Sequence, residues 1–346
     1  MSPLVSVVMP VFNREKWLPI SVGSVQRQTF GDWELLLVDD RSTDGTAALA
    51  RDLQSEDARI RYGLNPRTKG PSGARNHGLD EARGKYIAYL DSDDEWEPFH
   101  LERMVYFLEK YPDRIDVMNA NPLRKYRDTG VVYGKRELDL VNLSYERLED
   151  AYLLEKESAI SEQLRRRVLV TQAIVGKADV FKRVRWQEHI VAGEDSLYCF
   201  EVLYTGAKVC HLQQFHCIYW AHGDNTVNCL GTHSPQRMLR IHQGFVLFWQ
   251  EVLAKPKLSA VQRAIAETQL AHVLAWHLGY HCYEPLGELS EARRCYLRAA
   301  MLKPTELGFW RAYAATWPKQ WLGLRSSQPP IDKESSSDAA PPQVCS

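Results

Sequence analysis

Four short apolar runs, residues 4–9, 33–38, 59–64 and 85–90, alternate with stretches of helical periodicity near the start of the chain. The runs are continuous and do not alternate with polar residues. A strand of that texture is buried on both faces, which requires helices above and below a mostly parallel sheet. The intervening segments 15–28, 44–55 and 72–82 read as those helices, the last with Ser72 as its N-cap. The expected fold class is therefore α/β, with a mixed, mostly parallel sheet and helices on both faces. Ligands of such sheets bind in the crevice beyond the carboxyl ends of the strands. Three polar clusters lie at such ends: Pro10-Val11-Phe12-Asn13, Asp39-Asp40 and Asp91-Ser92-Asp93-Asp94.

The middle of the chain, about 115–227, is mixed. Residues 115–118, 131–133, 168–175 and 217–220 are strand candidates, and 194–203 reads as a helix. From Ser234 the texture becomes helical, over 238–253, 260–283, 290–301 and 307–317. The tail from Arg325 is rich in Pro and Ser and is expected to be disordered. The expected division is a sheet domain at 1–230, a helical extension at 231–324 and a tail at 325–346.

Composition excludes some classes. The chain of 346 residues has 43 basic and 44 acidic residues. A net charge near −1 argues against a nucleic-acid partner, which a clear basic surplus would mark. No apolar run is long enough for a membrane span. The N-terminus lacks the basic start and small-residue cleavage site of a signal peptide and reads as the first core strand. The seven cysteines are scattered without a Cys-x-x-Cys pair, so free buried thiols in a reducing cytosol are expected.

Several residues carry possible chemistry. If residues 91–94 continue the strand, Asp91 and Asp93 point to one side, because strand side chains alternate. Paired carboxylates suit Mg2+ or Mn2+, which in turn hold diphosphates. Asp40 at its strand end can accept from a base or a ribose hydroxyl, whereas Asp44 reads as a helix cap. The loop from Asn65 to Gly78 brings Lys69 and Arg75 to a helix N-terminus, where anions are favoured; Arg75 can make a forked contact to a diphosphate. Gly193-Glu194-Asp195 offers carboxylates able to take a proton from an attacking hydroxyl. His222 lies in a turn after a strand.

The order of these pieces is more specific than any one of them. Val5-Ser-Val-Val-Met-Pro-Val-Phe-Asn13, Val38-Asp-Asp-Arg-Ser-Thr-Asp-Gly-Thr46, Gly73-Ala-Arg-Asn-His-Gly78, Tyr89-Leu-Asp-Ser-Asp-Asp94 and Gly193-Glu-Asp195 together resemble family 2 glycosyltransferases of the GT-A fold. The resemblance is dense over 4–112 and thinner to about 228. It implies that Pro10, Val11, Asp39 and Asp40 line a nucleotide pocket, and that Lys69, Arg75, Asp91 and Ser92 contact the nucleotide sugar. It further implies Asp91, Asp93 and His222 as ligands of Mn2+ or Mg2+, with Asp94 a helper. Asp195 would be the catalytic base, with Glu194 beside it. Trp220-Ala221 departs from the Arg that many relatives carry near that His.

The function implied is an inverting transfer of a sugar from a nucleotide-diphosphate sugar, UDP- or dTDP-linked ahead of GDP-linked, to a hydroxyl. The acceptor would be a glycan, a lipid-linked glycan or a protein. The alternatives are a nucleotidyltransferase acting on a sugar phosphate and a catalytically silent docking scaffold. Trp276, Tyr283, Ala292, Tyr296, Ala299 and Pro304 also fit one tetratricopeptide repeat, about 276–304; this reads equally as a module that docks a protein partner and as a generic helical hairpin packed on the catalytic domain. Trp310, Trp317 and Trp321, with Lys319 and Arg325, offer a peripheral membrane contact, but core packing is the preferred expectation for these rings. The implied location is cytoplasmic, with the inner face of the membrane as a candidate site.

Overall fold

The protein is described here by a computed structural model covering residues 2–222 and 234–321. The expected disordered tail, Gly223-Asp-Asn225, Arg325, Cys229 and Cys345 lie outside these residues. The first part runs β1 (Val5–Val11), α1 (Leu18–Gln26), β2 (Trp33–Asp39), α2 (Thr46–Glu56), β3 (Ile60–Leu64), α3 (Pro71–Glu81) and β4 (Tyr86–Tyr89). These four strands are mutually parallel in the order β3-β2-β1-β4. The texture of the runs explains their place: Val5, Val7, Val8 and Met9 are wholly buried. Each contributes about 1.5–3 kcal/mol by leaving water.

The second part runs β5 (Glu95–Trp96), α4 (His100–Lys110), β6 (Val117–Tyr126), β7 (Val132–Lys135), β8 (Tyr145–Leu148), β9 (Ala151–Leu154) and α5 (Lys156–Arg166). It continues with β10 (Val175–Lys177), α6 (Ala178–Arg183), α7 (Glu194–Tyr204) and β11 (Val209–Ala221). The sheet grows to β3-β2-β1-β4-β10-β6-β11-β9-β8, with β5 on β11 and β7 on β6. β10 is antiparallel to both neighbours, and β6 pairs in parallel with β11. The mixed, mostly parallel α/β reading therefore holds. The segment 168–175 is not one strand: Thr171–Ala173 is a 3-10 turn and only Val175–Lys177 pairs. Ser72 does not cap α3. Pro71 takes the first helical position behind Gly70, whose φ of 130° suits a residue without Cβ, and the Ser72 hydroxyl is buried without a partner among the described residues.

The chain forms two compact units, residues 1–189 with 194–225, and residues 190–193 with 226–346. The helical unit contains α8 (Pro235–Leu253), α9 (Ala260–His272), a π-helical stretch Val273–Tyr283, α10 (Leu289–Leu302) and α11 (Leu307–Trp321). α9 opens with a capping box between Ser259 and Gln262. Ala292, Tyr296 and Ala299 are buried, as a close helical pair requires. The expected core packing is not observed for Trp310 and Trp317, which are 37% and 46% exposed; the Trp321 side chain lies outside the described ones. The five described cysteines are free and buried.

Candidate active site

The ends of β1 and β2 are tied together by their loops. Asn13 and Arg41 both have positive φ, 52° and 68°. Asn13 accepts from the Thr43 amide at 2.8 Å. Asp39 accepts from the Ser42 amide and hydroxyl and from the Tyr62 hydroxyl at 2.8 Å. Asp40 accepts from the Asn65 side chain and the Gly70 amide, both at 2.7 Å. Both carboxylates are buried and organise the loop leading to α3. Asp44 accepts from the Thr46 amide two residues on, an Asx turn, and from the Glu15 amide; it does not cap α2, whose N-cap is Gly45 without a side-chain cap bond. Val11 is buried and Pro10 half-buried in the adjoining strand. Lys69 is exposed, with its ammonium 4.6 Å from the centre of the Phe12 ring.

The glycines around Arg75 are steric requirements. A Cβ at Gly73 would lie 2.0 Å from the Thr68 carbonyl oxygen, and one at Gly78 would lie 2.4 Å from Val8. α3 therefore sits tight against its own loop and against β1, which presses Arg75 inward. Arg75 is 4% exposed. Its Nη2 donates to Asp91 at 2.7 Å, its Nη1 lies 3.9 Å from Glu194, and its guanidinium covers the Trp186 ring at 4.4 Å. Its Nε and Nη1 are buried without a hydrogen-bond partner among the described residues. Buried donors cost free energy unless matched, so Arg75 is poised for an added acceptor. Trp186 is stacked on Tyr198 at 4.0 Å and meets Tyr89 edge-on, which fixes the floor under the guanidinium.

β4 ends at Tyr89, and Asp91-Ser92-Asp93-Asp94 forms a turn. The period of two therefore does not govern these carboxylates. Asp91 accepts from Arg75 and from Gln172 at 2.8 Å. Asp93 faces a different set, Arg14 Nη2 at 3.1 Å and His222 Nε2 at 3.2 Å. Ser92 is buried between them in sequence. Burial pushes the Asp93 carboxyl up, but His222 and Arg14 outweigh it and hold it below the ordinary range. Asp94 is the reverse. Burial, then Asp93 and Asp91, push its carboxyl well up, while one oxygen accepts from the Trp220 amide. Asp94 is buried and supports the turn through its bond from the Trp220 amide. Among the described residues no three His, Cys, Asp or Glu side chains gather as a metal site.

Glu194 and Asp195 open α7. The Asp195 carboxylate accepts from the Ser196 amide at 2.7 Å and from Arg167 Nη1 at 3.1 Å. Burial, then the neighbouring Asp195 charge, pushes Glu194 up to about 7. Burial also acts to raise Asp195, but Arg167, the Ser196 amide and Arg75 more than offset it, so its carboxyl is lowered. The two adjacent carboxyls are thus shifted in opposite directions. The side chain of Asp195 is 32% exposed.

The structure thus joins Arg75, Asp91 and Glu194 by direct contact, and separately joins Asp93 with His222. Sequence reasoning missed Arg14, Gln172, Trp186 and Arg167. It also missed Arg127, whose guanidinium lies between the Trp17 and Trp220 rings at 4.7 Å from each and 3.4 Å from Glu95. An arginine therefore stands beside Trp220 although the sequence there departs from its relatives. None of these five lies on a periodic face that could have marked it.

Residues 6–203, more than half of the chain, match the sequence family described as glycosyl transferase family 2. The chain belongs to this family. Among curated proteins it is 45% identical over 94 residues to the GalNAc(5)-diNAcBac-PP-undecaprenol beta-1,3-glucosyltransferase of Campylobacter jejuni, covering 27% of this chain and 30% of that protein. It is 43% identical over 118 residues to the Escherichia coli UDP-Glc:alpha-D-GlcNAc-diphosphoundecaprenol beta-1,3-glucosyltransferase WfgD, covering 34% and 45%. The matches thus span less than half the length of these relatives. In fold it is similar to Staphylococcus aureus TarS 1-349 in complex with UDP-GlcNAc, with a TM-score of 0.58, 18% identity and coverage of 93% and 92%. The mannosyltransferase PcManGT of Pyrobaculum calidifontis, in complex with GDP-Man and Mn2+, gives 0.54, 15%, 94% and 84%.

Proposed function

We propose that this family 2 protein transfers a sugar from a UDP- or dTDP-sugar to a hydroxyl of a lipid-linked glycan, with inversion. The observation that carries the reading is Arg75, a buried guanidinium with two unmatched N–H donors between the turn carboxylate Asp91 and the helix carboxylate Glu194. Such a cation suits the diphosphate of a nucleotide sugar. Pro10, Val11, Asp39 and Asp40 frame the nucleotide end, with Lys69 and Ser92 near the sugar nucleotide. The names of the two relatives, both glucosyltransferases on undecaprenol-linked substrates, support the acceptor class.

In the proposed step, Asp195 takes the proton of the acceptor hydroxyl. The freed oxygen attacks the anomeric carbon as the bond to the diphosphate breaks on the opposite face, and the leaving nucleoside diphosphate keeps the bonding electrons. Arg75 meets the charge that grows on it. Asp93 and His222 offer one oxygen and one imidazole nitrogen that meet at 3.2 Å. One carboxylate oxygen and one imidazole nitrogen are donors that Mn2+ or Mg2+ accepts, and Asp93 and His222 would hold it. Bound there, the cation would supply Lewis-acid stabilisation of the leaving group. Asp91 supports the site through Arg75.

The sheet unit is proposed as the catalytic domain and the helices from Ser234 as an extension. The Trp276–Pro304 spacing is read as a helical hairpin of tetratricopeptide type, open to a protein partner. No described helix is long and apolar enough to cross a membrane, and a cytoplasmic enzyme at the membrane's inner face agrees with a lipid-linked acceptor. Phosphorus NMR of the protein with a UDP- or dTDP-sugar and a polyprenyl-diphosphate-linked sugar tests the reading. Release of nucleoside diphosphate is expected. With a nucleoside triphosphate and a sugar 1-phosphate supplied instead, release of pyrophosphate would indicate a nucleotidyltransferase.

A further inference from the structure

The Arg167 backbone is held in a conformation that arginine does not favour. It follows α5 with φ 62° and ψ 113°. Only four described residues other than glycine have positive φ. A glycine would relax this position, so the side chain has a use that offsets the strain. The surroundings fix it further. The Arg167 amide donates to the Gln163 carbonyl at 3.2 Å, and its own carbonyl accepts from Arg136 at 2.8 Å. The Arg166 carbonyl accepts from the same Arg136 group. The buried Gln163 side chain accepts from the next two amides, Val168 at 2.7 Å and Leu169 at 2.9 Å. From this braced turn the guanidinium, 10% exposed, reaches the Asp195 carboxylate at 3.1 Å.

We propose that Arg167 is a positioning residue for Asp195, fixing the orientation of its carboxylate and supplying the counter-charge that a carboxylate needs beside Glu194. This rests on the reading of Asp195 as the base. Asp195 faces Glu194 on its own helix and the Cys199 thiol one turn on, with Arg75 from α3 and Arg167 from the turn after α5. Without Arg167, two consecutive carboxylates would lean on Arg75, which already serves Asp91. Like charges in one site raise proton affinity, and an adjacent arginine lowers it by about 1–3 pH units. Arg167 therefore keeps Asp195 proton-free and able to accept at neutral pH.

The test is the pH dependence of kcat/KM for sugar transfer in Arg167→Met and Arg167→Lys, with the melting curve of each as a check of folding. In Arg167→Met the acid limb is expected to move up by about one pH unit or more, with nucleotide affinity unchanged. Arg167→Lys retains the charge and loses the fork; its acid limb is expected to stay near the wild-type position while kcat falls. An unmoved acid limb in Arg167→Met overturns the proposal. If Arg167→Met does not fold, Arg167→Lys decides: an acid limb displaced as far as that of a neutral substitution, Arg167→Gln, overturns it as well. Asp195→Asn separates the two readings. Full activity there removes Asp195 as the base and this inference with it. An inactive Asp195→Asn beside a wild-type profile in Arg167→Met removes only the role of Arg167.

Discussion

Glu194 is the residue whose environment makes the sharpest claim about protons. Its carboxyl is raised from an ordinary 4.5 to about 7 by burial and by Asp195. A raised acid stabilises the fold in its protonated form. That stability is fully present below 4.5 and is lost as pH rises through about 7, at about 1.4 kcal/mol for every pH unit between those limits. Glu194→Gln carries no such proton. Its melting temperature is therefore expected to gain on the wild type steadily between pH 4.5 and about 7, as scanning calorimetry across that range would record. Parallel curves would mean that Glu194 is not buried against Asp195. The carboxylate itself was legible in sequence as part of Gly193-Glu-Asp195. The division of labour within the pair was not, because it depends on Arg75 and Arg167, which lie far away in the chain.

At the scale of elements, α3 is the part that positions Arg75, and its glycines set its distance from β1. Gly78→Ala places a methyl 2.4 Å from Val8 in a fully packed interior. Overpacking of this kind costs about 1–3 kcal/mol, and denaturant unfolding should register that loss. Because Arg75 rides on the same helix, nucleotide affinity should fall with it, and unchanged stability would contradict the tight seating of α3. The elements legible in sequence are those whose burial is written locally. β1 to β4 are continuous apolar runs, and the late helices repeat at helical spacing. β8 and β9 are four residues each, β8 mostly exposed and β9 buried only at its two ends, too short to carry a pattern to read. The apolar run to Leu90 puts Asp91 and Asp93 at a strand end, where side chains alternate, but pairing stops at Tyr89 and nothing in the run marks that.

Across the whole molecule, the segment Ile190–Gly193 breaks the expected boundary at residue 230. It lies within the sequence of the sheet unit but groups with the helices. A Cβ at Gly244 on α8 would lie 2.8 Å from the Ala192 carbonyl oxygen, so the helix backbone rests directly on this segment. Glu194 and Asp195 follow at once in the chain. Gly244→Val should push the segment away and lower turnover while leaving affinity for the nucleotide diphosphate unchanged. Equal loss of both would point to general destabilisation. The sequence could show that the texture changes at Ser234, but not this grouping, since nothing local marks residues 190–193 as helical partners.

The central claim is that a nucleotide diphosphate rests on Arg75, and calorimetric titration with UDP tests it most directly. Arg75→Lys keeps a charge but removes the planar fork and the two buried donors now without acceptors among the described residues. Hydrogen bonds to a charged group contribute about 1.5–3 kcal/mol each. The dissociation constant for UDP is therefore expected to rise at least about tenfold in the folded variant. A folded Arg75→Lys protein that binds UDP as tightly as the wild type would contradict the claim.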